Sequence, residues 1–221
     1  MPDARPAVLF DIDGTLVDTN YLHTVAWWRA LRDAGEDVSM SEIHPLIGMG
    51  SDKLLEHLIG EERDGLRDAH AEQFSRLKAE VRAFPGAREL LTRVAGRGAQ
   101  VVLATSSQEA DLAELLAAID ADDAITEIVH GDEVEASKPA PDIFATALDK
   151  LGLVSASTMV VGDTRWDVEA ASKLGIDTVA VLTGGSTRRD LEEAGAAAVY
   201  LNVADLLDHL DDSPLSRLLG G

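Results

Sequence analysis

The sequence predicts an α/β protein: a doubly wound parallel sheet interrupted by one helical insertion. Two observations carry this expectation. Short, continuous apolar runs alternate with amphipathic stretches of helical period. A long early segment, Asn20 to Ala83, shows helical period and no convincing strand.

Strands are expected at Ala7–Phe10, Val101–Thr105, Met159–Val161 and Thr178–Leu182, with weaker ones at Ile128–Val129 and Ala197–Leu201. Helices are expected around Ala87–Val94, Gln108–Ala118, Ile143–Leu151, Trp166–Leu174 and Arg188–Ala194. Strands that are apolar throughout fit a sheet covered by helices on both faces. In the early segment Leu66, His70, Phe74, Leu77 and Val81 recur at three to four residues, and Phe84-Pro85-Gly86 ends the pattern. Such a segment is too long for a plain loop in a compact domain, so residues 17–83 are expected to form an inserted helical domain. Residues 1–16 and 84–221 then form the core, with a frayed tail at Asp211–Gly221.

Composition narrows the chemistry. With 221 residues there is ample chain for a buried core. The absence of cysteine excludes disulfides, a thiol nucleophile and zinc–cysteine sites, and the six histidines have no zinc-protease spacing. Nineteen basic against forty acidic residues give a net charge of −21, which disfavours nucleic acid and anionic membranes as partners. An anionic substrate would therefore need a locally cationic site. Neither a leader-like N-terminus nor an 18-residue apolar run is present, so a cytoplasmic protein, monomer or homodimer, is expected.

Four short runs concentrate the reactive side chains. In Phe10-Asp11-Ile12-Asp13-Gly14-Thr15 two acids two positions apart leave a strand end on the same side, and Gly14 permits a reversal. Close carboxylates favour a hard divalent cation or a shared proton. A calcium-binding EF-hand loop is ruled out, since its glycine belongs at position six and its glutamate at twelve, where Gly14 is fourth and Leu22 twelfth. The strand Gln100–Ala104 runs into Thr105-Ser106-Ser107, Lys138 stands in Ser137-Lys138-Pro139, and Met159-Val160-Val161-Gly162-Asp163 is followed by Asp167. Taken singly these are a buried strand end, a solvated lysine and a capped helix start. Together they lie beyond the carboxyl ends of expected strands, where open α/β sheets bind ligands.

In this order the four runs resemble the motifs of the haloacid dehalogenase superfamily, in its phosphoglycolate phosphatase and β-phosphoglucomutase-like branch. The resemblance implies a Rossmann-like core with an α-helical cap, and a magnesium-dependent phosphatase acting on a small phosphorylated metabolite, phosphoglycolate or a sugar phosphate. It implies Asp11 as nucleophile forming an aspartyl phosphate, Asp13 as general acid and base, and Lys138 as charge neutraliser. Magnesium would be held by Asp11, the backbone carbonyl of Asp13 and Asp163, with Asp167 acting from behind. Thr105 and Ser106 would hold the phosphoryl group, and Asn20, His23 and Ser51 would meet substrate from the cap. The second acid, Asp13, separates phosphate chemistry from dehalogenation. Mutase relatives carry a basic residue near Ser51 that is missing here; Lys53 and Arg76 are the candidate substitutes. A hexose-phosphate mutase is the alternative function, and a non-catalytic phosphate sensor a third. Trp27 and Trp28 read as packing residues, and Gly184-Gly185 as a turn that could border the site.

Overall fold

The computed structural model describes residues 5–220. Strands β1 (Ala7–Phe10), β2 (Gln100–Ala104), β3 (Glu127–Val129), β4 (Thr158–Gly162), β5 (Asp177–Val181) and β6 (Ala198–Tyr200) form one sheet in the order β3-β2-β1-β4-β5-β6. Every pairing is parallel, with β1 central; Leu9 stands between Val102 and Val160. The helices are α1 (Asn20–Asp33), α2 (Met40–Ile43), α3 (Ser51–Ile59), α4 (Leu66–Ser75), α5 (Ala87–Gly96), α6 (Glu109–Ile119), α7 (Asp142–Leu151), α8 (Arg165–Ser172), α9 (Arg188–Ala194), α10 (Val203–Asp208) and α11 (Pro214–Leu218).

Alternation along each strand divides the interior. Val8, Phe10, Val101, Leu103, Val161 and Val179 face a core shared with Leu90 and Leu91 of α5, Leu115 of α6, Leu206 of α10 and Leu215 of α11. Leu9, Val102, Ala104 and Val160 face Ile143, Phe144 and Ala147 of α7 and Ala170 and Ala171 of α8. Both faces are covered, which is why strands buried throughout are tolerated. A third cluster, with Trp27, Leu31, Ile43, Ile47, Leu54, Leu55 and Leu66, belongs to α1–α4 and the turns between them.

The chain leaves and re-enters the sheet through two adjacent segments. Asp18 N donates to Arg82 O at 2.8 Å and Phe84 N to Leu16 O at 2.9 Å, so the two crossings run side by side. Two expectations are corrected. The period that includes Leu77 and Val81 does not continue as one helix; α4 stops at Ser75 and a 3₁₀ turn, Lys78–Glu80, follows. The tail does not fray over its described length: α11 occupies it, and Leu215 and Ser213 are buried because Leu215 fills the floor of the larger core. Gly221 lies outside the described residues.

Candidate active site

The acids converge just beyond the carboxyl ends of β1 and β4. Asp11 continues the pairing of β1, its N–H donating to Val161 O at 2.9 Å, and the chain then reverses with Leu16 and Val17 both donating to Ile12 O. The reversal requires Gly14 twice over. Its φ is +79°, and a Cβ there would stand 2.4 Å from Asp163 Oδ2. Gly184 is held to the same standard, since its Cβ would fall 1.7 Å from that oxygen. The Gly184-Gly185 turn thus does border the site.

Asp11, Asp163 and Asp167 are buried and each offers an oxygen within 4.8 Å of the others. Lys138 Nζ, also buried, lies 2.6 Å from Asp11 Oδ1 and 2.7 Å from Asp167 Oδ1. Thr15 Oγ1 donates to Asp163 Oδ1 at 2.8 Å and Asn20 Nδ2 to Asp163 Oδ2 at 2.9 Å. Asp167 Oδ2 accepts from Thr164 N and Oγ1, which caps α8, while Asp167 Oδ1 has no donor aligned on it. Three carboxylates therefore face one ammonium group. Burial pushes Asp11 up to about 7 despite the pull of Lys138, and burial with the charges of Asp11 and Asp167 pushes Asp163 well above the usual carboxylate range. Lys138 moves upward although burial opposes its charge, because Asp11 and Asp167 flank it. Compact, oxygen-only and over-acidic, with three buried carboxylates against one ammonium group, this donor set fits a hard divalent cation.

Asp13 stands apart from that cluster and is held by four donors. Thr19 Oγ1 at 2.6 Å and His23 Nε2 at 3.2 Å donate to Oδ1, and Ser107 Oγ at 2.6 Å and Thr105 Oγ1 at 3.2 Å donate to Oδ2. Burial alone would raise its pKa, but the His23, Ser107 and Thr19 hydrogen bonds, with the His23 charge, carry it below the usual range. Thr19 is the N-cap residue of α1, yet its hydroxyl makes no capping bond. A cap oxygen is worth roughly 1 kcal/mol to a helix, and here it serves Asp13 instead.

A cleft of about 720 Å³, counted to its open mouth, runs from Asp11 and Asp13 to the helical insertion. Ser106, Ser107 and Gln108 line its sheet side; Trp27, Ile47, Met49, Ser51, Leu54 and His70 line the other. His23 and Ser51 both line this cleft. Asn20 does not: it is buried against Asp163 and Gly184 O rather than along the cleft. Thr105 meets Asp13 and accepts from Ser107 N at 3.0 Å. Trp27 is buried in the third cluster and also lines the cleft. Lys53 and Arg76 pair with Glu56 at 2.9 Å and Glu72 at 2.6 Å and are not among the cleft residues. Arg67 is, with an exposed partner in Glu62 at 2.8 Å, a pairing worth at most about 1 kcal/mol. Sequence reasoning passed over Thr15, Thr19, Ser107, Arg67 and His70. Thr15 and Thr19 stand beside the motif acids in the chain and Ser107 closes the Thr105-Ser106-Ser107 run, a usable signal; His70 had only helical period to mark it, and Arg67 had nothing.

A family model described as haloacid dehalogenase-like hydrolase matches residues 8–181, which include Asp11, Asp13, Lys138, Asp163 and Asp167 but stop short of the Gly184-Gly185 turn. The chain belongs to that family. It is 31% identical over 173 residues to the "Phosphorylated carbohydrates phosphatase" of Thermotoga maritima, covering 75% of this chain and 79% of that one. It is 32% identical over 178 residues to the "Phosphoglycolate phosphatase" of Yersinia pestis, covering 74% and 75%. Among solved structures, a hydrolase from Pseudomonas syringae superposes with a TM-score of 0.88 at 36% identity, over 94% of this chain and 99% of that one. This haloacid dehalogenase-like hydrolase is accordingly an enzyme of the phosphatase kind.

Proposed function

We propose that the protein hydrolyses a small phosphate monoester, a phosphoglycolate or sugar phosphate, by way of a phosphorylated Asp11. The observation that carries this reading is the separation of the two neighbouring acids. Asp11 sits in the buried carboxylate cluster beside Lys138, whereas Asp13 sits outside that cluster among four hydrogen-bond donors. Two carboxylates in unlike surroundings suit two roles.

Asp11 Oδ2, the oxygen that Lys138 does not hold, attacks phosphorus, and the P–O bond to the leaving alcohol breaks. Asp13, protonated for this step, gives its proton to the departing alkoxide and then recovers one from the water that opens the acyl phosphate. Its hydrogen bonds oppose protonation in the resting arrangement, so substrate binding has to displace hydroxyl donors while His23 stays in place. Lys138 offsets charge on Asp11 and the phosphoryl oxygens, with Thr105 and Ser106 as further donors; losing one such donor costs roughly 3 kcal/mol of transition-state stabilisation. Asp11, the Asp13 carbonyl and Asp163 would hold magnesium, with Asp167 behind Lys138; the ion would neutralise phosphoryl charge in the transition state. Residues 17–83 act as the cap that excludes water, with His23 and Ser51 toward substrate.

The test is release of inorganic phosphate from a panel of phosphorylated metabolites, with magnesium and after chelation. Magnesium-dependent release from one or a few members is expected; release that survives exhaustive chelation would remove the metal from the reading. No release from any member would remove the substrate class.

A further inference from the structure

Behind His23, on the side away from Asp13, stands a second imidazole that the proposed reaction does not use. His70 Nε2 lies 3.3 Å from His23 Nδ1, while His23 Nε2 lies 3.2 Å from Asp13 Oδ1. A chain of polar atoms thus runs from α4 through α1 to the acid beyond the end of β1. The two rings are clamped: His70 stacks on Trp27 with centroids 4.2 Å apart, and His23 stacks on Phe74 at 4.1 Å and 9°. Burial and the neighbouring His23 hold the His70 pKa well below the usual value, with Asp13 opposing.

We propose that His70 is a positioning residue for Asp13, fixing the ring orientation and tautomer of His23 so that the His23 Nε2–H is aimed at the carboxylate. A carboxylate accepts, so a proton belongs on His23 Nε2; whenever the ring carries only that proton it presents a lone pair at Nδ1, and His70 is placed to donate its Nε2–H to it. Without that donor the ring could carry its proton on Nδ1 and turn a lone pair toward Asp13, a repulsive contact. Histidines whose second nitrogen is fixed by an outer partner are the general device for selecting a tautomer. Trp27 supplies the wall that keeps His70 in plane, which gives a buried tryptophan at the cleft a role beyond packing. The inference rests on the reading of Asp13 as the proton carrier, but its structural half does not.

The experiment therefore has two arms, both on the full chain. In the first, ¹⁵N chemical shifts of the imidazoles are read without substrate. His23 should show the Nε2–H tautomer in the native protein and lose that preference in His70→Phe, which keeps the stack on Trp27 and removes the nitrogen. In the second, turnover of a generic aryl phosphate is measured. His70→Phe should lower kcat about tenfold with KM changed less than about twofold, His70→Gln should recover most of it through its amide, and the loss should vanish in a His23→Phe background. If His70→Phe does not fold, His70→Asn, polar but too short to reach, replaces it. An unchanged His23 tautomer in the variant, or losses that add in the double variant, would overturn the proposal. A tautomer change in a protein that releases no phosphate would leave the positioning intact and sink the reading of Asp13 instead.

Discussion

Asp13 accepts from Thr19, His23, Thr105 and Ser107, three of them hydroxyls, and this crowding sets what its replacement should do. Asp13→Asn keeps the shape but cannot move a proton, so turnover should fall about 10²–10⁴-fold, the usual share of general acid–base catalysis; a loss below tenfold would give the proton to another group. Asp11→Asn should abolish turnover while the folded protein survives, because it relieves one of three buried carboxylates whose ionisation is already costly. Thermal unfolding of that variant checks it: a midpoint lower than the native metal-free protein's would contradict the account. The acids themselves were legible, since strand ends two residues apart must share a face. Their hydroxyl partners were not, because which donor turns toward which oxygen depends on side-chain rotamers across separate elements. Asn20 shows the limit most clearly. Placed at the start of α1, it was expected along the cleft, but α1 turns its amide onto Asp163.

Strands and the helices that cover them follow from periodicity, and β1 and α9 begin and end where the pattern of residues said they would. The elements that escaped were short. In α10 and α11 the helical period has too few residues to show, and only the tertiary core reveals that Leu215 is wanted there. Leu215→Ala should cost about 2–5 kcal/mol, as for other buried leucines. Denaturant unfolding measures it, and a loss under about 0.5 kcal/mol would restore the frayed tail. The Gly184 turn makes a second test at this scale. Gly184→Ala forces a methyl against Asp163 Oδ2, so magnesium should be needed at concentrations at least about tenfold higher while the sheet remains intact. Unaltered magnesium dependence would show that the turn yields without moving the acid.

Across the whole molecule a charge of −21 surrounds a site that must take up an anion, and the same imbalance is repeated inside it. Because burial raises Asp11 to about 7, and raises Asp163 also, the metal-free folded protein binds protons more tightly than the unfolded chain. Their contribution to stability is present at low pH and is lost as pH rises through the folded values. A divalent cation bound among these carboxylates would replace those protons. The rise in melting temperature on adding magnesium should therefore be larger at about pH 8 than at about pH 5.5, and a rise independent of pH would refute the coupling. The most direct measurement on the central claim is a rapid quench during turnover of an aryl phosphate with magnesium, followed by mass analysis of the peptides. The account predicts a phosphoryl group on the peptide holding Asp11, absent from Asp11→Asn and accumulating in Asp13→Asn only as slowly as that variant turns over; phosphate release with Asp11 never modified, or with the label on another residue, would contradict it.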